Sequence, residues 1–266
     1  MIGFYTNKTV WLTGASSGIG EAMALQLAKQ GAELILSSEN KEELERVNNL
    51  CLQETAKSEA VVLDLSNIDS IKQTLEYILP KYKKIDVLLL NAGISQRAST
   101  VDTSQEVHDR IMQINFHANV LITKAILPLM LKQGGGHIGV TSSISGKFGF
   151  HLRSAYAASK HALHGFFESV MLENREDKVF VTIVCPGRVK TKISLHALEA
   201  DGKQHGKMDD GQAGGISSER CASKYLKAVR KRKREKLIGG KEILMVYFKR
   251  YVPWLFYYMS KRIKST

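Results

Sequence analysis

Short apolar runs alternate with amphipathic helical patterns through most of the chain. The predicted strands are rich in Val, Ile and Leu, as is typical of strands covered on both faces, and span residues 9–12, 33–37, 60–63, 87–90, 138–141 and 179–184. The predicted helices between them span residues 18–30, 41–54, 68–82, 105–132 and 155–174. Because strand and helix alternate, we predict an α/β fold: a single doubly wound parallel sheet with right-handed crossovers, flanked by helices on both faces.

The composition is that of an ordinary globular protein. The chain has 266 residues, of which 44% are hydrophobic and 24% charged, which excludes disorder, collagen and coiled coil. A chain of this length can bury a core without disulfide or metal support. No linker divides the repeat, so we predict one domain. Its parts are a core over residues 1–192, a lid over residues 193–219 and a basic, aromatic extension over residues 220–266 that packs on the core.

Cysteine usage and the first residues predict a cytoplasmic protein. Cys51, Cys185 and Cys221 lie far apart with no CxxC pair, which excludes a zinc ribbon and argues against a secreted disulfide scaffold. Residues 1–8 are too few and too polar for a signal peptide. No run reaches about 18 apolar residues, so we expect no membrane-spanning segment.

Residues 194–215 stand outside the strand–helix repeat. The segment is polar, and its five glycines follow a strand end, the place where ligands bind in such sheets. We expect a mobile lid, with a plain surface loop as the alternative. Ile193, Leu195 and Leu198 are compatible with an apolar or lipid-like substrate, and equally with packing between subunits.

Positive charge is concentrated at the C-terminal end. Of a net charge of +12, residues 220–266 hold fifteen Lys and Arg against Glu235 and Glu242, whereas the rest of the chain is nearly neutral. Such a run is either a solvated helix face or a contact with an anionic partner. Because aromatic residues 247–258 follow the basic residues, a membrane surface ranks above nucleic acid, and no specific nucleic acid is expected.

A glycine-rich loop follows the first predicted strand and opens the first predicted helix. Residues 13–20 read Thr-Gly-Ala-Ser-Ser-Gly-Ile-Gly. Gly14 would allow a sharp turn, Gly18 would let the backbone approach a pyrophosphate, and Gly20 would let helix and strand pack closely. The helix N-terminus would face the phosphate charge, so the loop predicts a dinucleotide site.

Tyr156 and Lys160 form a Y-x-x-x-K pair on one face of a predicted helix. An ammonium group near a phenol stabilises the phenolate and lowers its pKa from about 10, so Tyr156 could act as a general acid or base. Ser143 follows the fifth predicted strand, and Asn91-Ala92-Gly93 ends the fourth. The parallel sheet would therefore bring these groups to one edge.

With these motifs in order, the sequence resembles the short-chain dehydrogenase/reductase family. The residues that carry the resemblance are Thr13–Gly20, Asp64-Leu65, Asn91-Ala92-Gly93, Asn115, Ser143, Tyr156, Lys160 and Pro186–Thr191. Ala200-Asp201-Gly202, Met208-Asp209 and Tyr251–Phe256 resemble one branch of that family, the dehydrogenase/reductase member 7 and 7B type. The resemblance implies a Rossmann-type fold and an NAD(P)-dependent oxidoreductase acting on a carbonyl/secondary alcohol pair.

The resemblance also implies catalytic roles. Tyr156 would give a proton to the carbonyl oxygen or take it from the alcohol, and Ser143 would hydrogen-bond the same oxygen. Lys160 would hold the nicotinamide ribose, and Asn115 would support a water that relays protons. The implied cofactor-binding residues are Gly14, Ser16, Ser17, Gly18, Ile19, Gly20, Ser38, Glu39, Asp64, Leu65, Asn91, Ala92, Gly93, Tyr156, Lys160, Pro186, Gly187, Val189 and Thr191.

The choice between NAD and NADP stays open. Glu39 stands where NADP-dependent relatives often carry Arg, and a carboxylate favours a free 2′-hydroxyl. An NAD-preferring Asp would usually fall one place earlier, at Ser38, and Lys41 could still reach a phosphate. Electrostatics lean toward NAD, and the branch resemblance leans toward NADP.

The expected partners are a small-molecule carbonyl or alcohol substrate and further copies of this chain, as a dimer or tetramer. Residues 241–266 would pack across the subunit interface, lie on an anionic membrane surface, or do both. We expect their deletion to leave the site around Tyr156 intact. We expect no metal site, because His161 and His164 have no evident third ligand, and we expect Cys185 to be a buried apolar side chain.

A second class of function is a catalytically silent Rossmann-fold binding protein whose basic tail contacts a membrane surface or nucleic acid. The intact set of Asn115, Ser143, Tyr156 and Lys160 argues against it.

Overall fold

The computed structural model describes residues 3–55 and 57–260, and its centre is one parallel sheet of seven strands in the order β3-β2-β1-β4-β5-β6-β7. The strands are β1 Thr9–Thr13, β2 Glu33–Ser38, β3 Ser58–Val62, β4 Val87–Leu90, β5 Gly136–Thr141, β6 Val179–Pro186 and β7 Glu235–Ile238. The first six are the strands that the sequence predicts, with ends that differ by at most two residues. The predicted doubly wound α/β fold is confirmed.

Helices cover both faces of this sheet. They are α1 Gly18–Ala28, α2 Lys41–Leu52, α3 Ile68–Lys81, α4 Gln105–Met112, α5 Ala118–Lys132, α6 Ser154–Glu173, α7 Asp210–Ala213, α8 Ser218–Arg230, α9 Leu244–Tyr251 and α10 Pro253–Ser260. A π-helical turn, Gln113–His117, joins α4 to α5, so the single helix predicted over residues 105–132 carries a widened turn in its middle.

The core has two layers, one on each face of the sheet. Successive side chains of a strand point to opposite faces, so Val10 and Leu12 pack against α1 and α8, whereas Trp11 packs against α3, α5 and α6. This two-sided burial explains why the strands read as continuous apolar runs in the sequence.

The C-terminal part differs from the predicted extension, because α8 and β7 belong to the sheet layers. β7 pairs in parallel with β6, and α8 packs on α1. The phenol of Tyr5 donates a hydrogen bond of 2.8 Å to the carbonyl of Leu226 in α8. The basic residues of this stretch obscured the pattern, since β7 has four residues and only Ile238 is fully buried.

The extension proper is therefore the helical hairpin α9–α10. Its inner side chains Met245 and Phe256 are buried against Ile144 and Phe148, which belong to the segment between β5 and α6. Its outer face is aromatic and exposed, with Tyr251 and Trp254 each more than two-thirds exposed. Lys261 and Arg262, the basic residues predicted to follow the aromatic stretch, lie outside the described residues.

The continuous helical stretch over residues 105–132 is long and apolar enough to cross a membrane by length and composition alone. No membrane-spanning segment is expected from the sequence. Ile122, Ile126 and Met130 of this stretch are fully buried in the core against the sheet, as in the core helix of a globular domain.

Strand order reverses between β1 and β4. From β1 the chain proceeds to β2 and β3 on one side, and from β4 to β5, β6 and β7 on the other. The connections that leave β1 and β4 therefore diverge and open a crevice at the carboxyl ends of the strands, where open α/β sheets bind ligands.

Candidate active site

The glycine loop between β1 and α1 forms one wall of this crevice. Gly14 and Gly18 have φ angles of +66° and +58°, in the left-handed region that favours glycine. Ser17, the residue that precedes α1, makes no side-chain cap to the first turn. The amide groups at this helix N-terminus are therefore available to an anionic ligand.

Gly20 lies behind the loop and faces the strand. A Cβ there would stand 1.9 Å from the carbonyl oxygen of Gly14 and 2.8 Å from Nδ2 of Asn91. The Asn91 amide in turn donates to the carbonyls of Thr13 at 3.3 Å and Gly14 at 3.2 Å. Gly20 thus allows the close helix–strand approach predicted for it, without lining the crevice.

Ser143, Tyr156 and Lys160 meet at the carboxyl ends of β5 and β6. The Ser143 hydroxyl accepts a hydrogen bond from the amide of Ser145 at 3.1 Å. The Lys160 ammonium donates to the carbonyl of Thr141 at 2.8 Å and lies 5.7 Å from the centre of the Tyr156 ring. The i, i+4 spacing on α6 therefore places phenol and ammonium on one face, as predicted.

Asn115 is fully buried in the π-helical turn behind Gly93. Its Oδ1 accepts from the amide of Ile94 at 2.9 Å, and its Nδ2 donates to the Ile94 carbonyl and to the Ser159 hydroxyl. A Cβ on Gly93 would stand 3.0 Å from this Oδ1 and 3.2 Å from the Lys160 ammonium. Asn115 therefore braces the strand end that faces the crevice, and the widened turn gives its side chain this direction.

The electrostatics of the pair differ from the sequence expectation. Burial raises the pKa of Tyr156 above its ordinary value, although a hydrogen bond from Ser143 and the charges of Arg153 and Arg97 act to lower it. Burial also lowers the pKa of Lys160 to about 8. The lowered phenol pKa expected from a neighbouring ammonium is therefore not what this structure shows, because removal of both groups from water dominates.

The crevice gathers most of the predicted cofactor residues on one surface. Those that line it are Gly14, Ser16, Ser17, Gly18, Ile19, Ser38, Glu39, Asp64, Leu65, Asn91, Ala92, Gly93, Tyr156, Lys160, Pro186, Gly187, Val189 and Thr191. Ser143, predicted to be catalytic, lines it as well. Gly20 and Asn115 lie behind its wall. At one end, the hydroxyls of Ser16 and Ser38 are 2.8 Å apart and Glu39 is exposed beside them.

A second cavity adjoins the crevice and shares Ser143 and Tyr156 with it. Apolar side chains form one side of this cavity: Ile144, Phe148, Phe150, Met245 and Phe256. Two of them come from α9 and α10, so a deletion of residues 241–266 would open the cavity beside Tyr156. The structure therefore predicts the opposite of the expectation from the sequence: this deletion should alter the site around Tyr156.

Residues of the predicted lid, 193–219, line both cavities, and Ile193 and Gln212 belong to the wall of each. The Leu198 amide donates to the Ser95 carbonyl at 2.9 Å, and the Arg97 amide donates to the Leu198 carbonyl at 2.8 Å. Asp209 is buried between the guanidinium groups of Arg97 and Arg153. This ion cluster was missed by sequence reasoning, although Asp209 belongs to a motif singled out there and Arg153 lies three residues before Tyr156.

A third cluster lies behind Ser142. His164 Nε2 is 3.0 Å from the Ser142 hydroxyl and 3.6 Å from the Cys185 sulfur, and its Nδ1 is 3.7 Å from Glu235. These donor types suit a metal ion. The Lys147 ammonium already stands among them, 3.3 Å from His164 Nδ1 and in an ion pair with Glu235, so a metal ion would have to displace it.

Comparison with known proteins identifies the family. The profile of the family described as short chain dehydrogenase matches residues 8–201. This chain belongs to the short-chain dehydrogenase/reductase family.

Named relatives of this dehydrogenase/reductase support the predicted branch. It is 38% identical over 264 residues to dehydrogenase/reductase SDR family member 7B of Xenopus laevis, an alignment that covers 96% of this chain and 82% of the relative. It is 35% identical to the dehydrogenase/reductase SDR family protein 7-like of Drosophila melanogaster, covering 96% of this chain and 80% of that one.

Solved structures share the fold of this dehydrogenase/reductase. A short chain dehydrogenase/reductase from Burkholderia phymatum, in complex with NAD, superimposes with a TM-score of 0.83 at 22% identity over 94% of this chain and 95% of that one. A protein described as an NAD(P)-dependent gluconate 5-dehydrogenase from Beutenbergia cavernae, with bound NADP, gives 0.74 at 24% identity over 87% and 94%.

The space around two glycines predicts opposite effects on stability when each is replaced by alanine in this dehydrogenase/reductase. Gly20→Ala should destabilise the protein by about 1–3 kcal/mol, because its methyl group collides with the Gly14 carbonyl. Gly165→Ala should stabilise it by roughly 0.5–1 kcal/mol, because Gly165 lies inside α6 with open space around its Cβ position. Urea unfolding measures both, and equal effects would contradict the described packing.

Proposed function

We propose that this protein is an NAD(P)-dependent oxidoreductase that transfers a hydride between nicotinamide and a carbonyl or secondary alcohol substrate. The observation that carries the proposal is the shared wall: Ser143 and Tyr156 line both the crevice with the glycine loop and the adjoining apolar cavity. A coenzyme in the crevice and a substrate in the cavity would meet at these hydroxyls.

The crevice fits a dinucleotide. Gly14 and Gly18 adopt conformations that bring the backbone to the surface, and the N-terminus of α1 presents free amide groups to a pyrophosphate. A side chain at Gly93 would fill the space before Asn115 and Lys160. The bound nicotinamide would supply the hydride chemistry. The coenzyme is NAD or NADP, as in the structural neighbours that contain them.

The chain's own residues would handle the proton. The Tyr156 hydroxyl would donate a proton to the carbonyl oxygen during reduction, or accept one from the alcohol during oxidation. Ser143, within hydrogen-bonding reach of the same phenol, would hold the substrate oxygen. Lys160 would bind the nicotinamide ribose. Asn115 would hold the Lys160 ammonium and the Gly93 backbone in position, and it would support a water that relays protons.

The wall of the second cavity supports an apolar or lipid-like substrate. The rings of Phe148 and Phe256 meet edge to face with their centroids 5.1 Å apart, and Met245 packs beside them. Such a wall favours a hydrocarbon portion through the hydrophobic effect. The lid segment would close over the bound substrate.

The role of Tyr156 predicts a loss of rate without a loss of coenzyme binding. Tyr156→Phe should lower kcat by about 10²–10⁴-fold, because the proton donor is removed while the loop contacts remain. Steady-state kinetics with a panel of apolar ketones and nucleotide titration by fluorescence would measure the two effects. A kcat loss below about tenfold would contradict the role, and absence of turnover in the parent protein would favour a silent binding protein.

The negative charge of Glu39, at the end of the crevice where the adenosine ribose would bind, predicts how its substitution changes the preference between NAD and NADP. Glu39→Arg should shift the ratio of NADP to NAD affinity toward NADP by roughly 1–3 kcal/mol, because a repulsive carboxylate is replaced by a phosphate-binding guanidinium. Glu39→Gln is the matched control, because it removes the negative charge without adding a guanidinium that binds phosphate. It should shift the ratio of NADP to NAD affinity less than Glu39→Arg does. An unchanged ratio in both variants would place Glu39 away from the ribose.

The outer face of α9–α10 supports two further contacts. We propose that it packs against another copy of this chain in a homo-oligomer, lies on an anionic membrane surface, or does both. Tyr251 and Trp254 are exposed there beside Lys249 and Arg250, a combination of interfacial aromatics and basic groups that suits lipid headgroups. Such a protein would be cytoplasmic and peripheral to the membrane, in keeping with its three free, buried cysteines.

Substitution on this face tests both contacts while the inner wall of the cavity is kept. Tyr251→Ser with Trp254→Ser should reduce the oligomer mass in light scattering, the salt-sensitive binding to phosphatidylserine vesicles, or both. Val101→Ser, at a residue that is 90% exposed elsewhere, is the control for a generic loss of surface apolarity. If neither mass nor vesicle binding changes, the aromatic face is a plain solvated surface.

A further inference from the structure

The ion cluster of Arg97, Arg153 and Asp209 joins three parts of the chain that are distant in sequence. Arg97 follows β4, Arg153 directly precedes α6, and Asp209 belongs to the predicted lid. The Asp209 carboxylate accepts from Arg97 Nε at 3.1 and 3.2 Å and from Arg153 Nη2 at 2.9 Å. The side chains of Arg97 and Asp209 are 2% and 5% exposed, and that of Arg153 is 15% exposed.

The cluster carries an unbalanced positive charge. Two guanidinium groups share one carboxylate. Burial acts to lower the pKa of Arg153, but a guanidinium keeps its proton in proteins even when it is buried, so both groups stay charged over the pH range in which Tyr156 titrates. Burial acts to raise the pKa of Asp209, but its hydrogen bond and charge contact with Arg97 outweigh this, so the carboxyl stays ionised. One net positive charge therefore remains in a site largely removed from water.

This charge lies on the wall of the second cavity, which Tyr156 also lines. Arg97, Arg153, Asp209 and Tyr156 all line that cavity, and Arg153 is one turn from Tyr156 at the start of α6. The Arg153 guanidinium also rests on the Phe150 ring, 4.7 Å from its centroid, which holds it on the cavity side. Since burial penalises the phenolate, a nearby uncompensated cation has a large effect there.

Other charged or titratable groups surround the phenol. Those on the walls of the two cavities near it are Lys160, His151, Arg188, Lys192, His196, Asp210 and Glu242. Behind Ser142 stand His164, Lys147 and Glu235, and the Cys185 thiol is held neutral because burial raises its pKa to about 12. The Glu242 carboxylate is engaged by the amides of Arg188 and Gly240 at 2.9 and 3.0 Å.

We propose that the cluster is a positioning element of the catalytic site: Arg153 and Arg97 stabilise the Tyr156 phenolate, and Asp209 both moderates that charge and ties the lid to the catalytic helix. The inference rests on the proposed function of Tyr156. When Asp209 is bound between the two guanidinium groups, its carboxylate neutralises one of the two positive charges. When Asp209 moves away with the lid, both positive charges remain near the phenol. The position of the lid would thus control how readily Tyr156 gives up its proton.

The charge balance predicts opposite shifts for two near-isosteric variants. Asp209→Asn leaves two uncompensated cations, so the Tyr156 pKa should fall by about one unit. Arg153→Met removes one cation and keeps an unbranched side chain, so the pKa should rise by about one unit. Arg153→Lys restores the charge and should return the pKa close to that of the parent protein.

Tyrosinate absorbance after a stopped-flow pH jump measures this pKa before the protein unfolds at high pH. Each protein is compared with its own Tyr156→Phe counterpart, so that the difference reports Tyr156 alone among nine tyrosines. The measurement needs neither coenzyme nor substrate, so it is independent of whether the protein turns over a given ketone. Thermal unfolding of the same variants reports the structural contribution of the cluster.

Opposite shifts in the two variants, with rescue by Arg153→Lys, would support the proposal. Loss of thermal stability with an unmoved Tyr156 pKa would overturn it and leave a purely structural ion cluster. If Arg153→Met does not fold, Asp209→Asn decides alone, because an unmoved or raised Tyr156 pKa there also overturns the proposal. Shifts as expected in a protein whose Tyr156→Phe variant keeps its turnover would instead overturn the catalytic role of Tyr156.

Discussion

The hydrogen bonds between the ends of β1 and β4 are the constraint on which the site depends. The Thr13 hydroxyl accepts hydrogen bonds from the backbone amides of Asn91 and Ala92 at 3.0 and 3.3 Å. The Asn91 side-chain amide donates hydrogen bonds to the carbonyls of Thr13 and Gly14. These bonds join the two strands at which the chain reverses its direction across the sheet. The glycine loop and the backbone of Asn91–Gly93 are thereby held next to each other on the wall of one crevice.

Burial is the second constraint, and it opposes the proposed chemistry. Tyr156 and Lys160 are both withdrawn from water, which disfavours the phenolate and the ammonium alike. A site of this kind needs compensating groups. Ser143 supplies a hydrogen bond, and the proposed role of Arg97 and Arg153 supplies charge from outside the Y-x-x-x-K pair. The same exclusion of water strengthens each of these interactions.

The hairpin α9–α10 connects the surface to the cavity. Its inner residues Met245 and Phe256 form part of the cavity wall, and its outer residues Tyr251 and Trp254 face solvent. A contact on the outer face therefore acts on the same short helices that shape the cavity. A partner bound to the outer face would therefore lie next to the two helices that form part of the cavity wall.

The sequence by itself determined the six-strand repeat, the glycine loop, and the grouping of Ser143, Tyr156 and Lys160, because periodicity and i, i+4 spacing are local properties that burial on both faces preserves. Only the tertiary structure decided that α8 and β7 complete the sheet, since their lysines and arginines hide a buried face that appears when α1 and β6 are beside it. It also decided the Arg97–Asp209–Arg153 cluster. Ion pairing between residues 112 positions apart in the chain has no local periodicity, and it depends on a fold that removes these charges from water together.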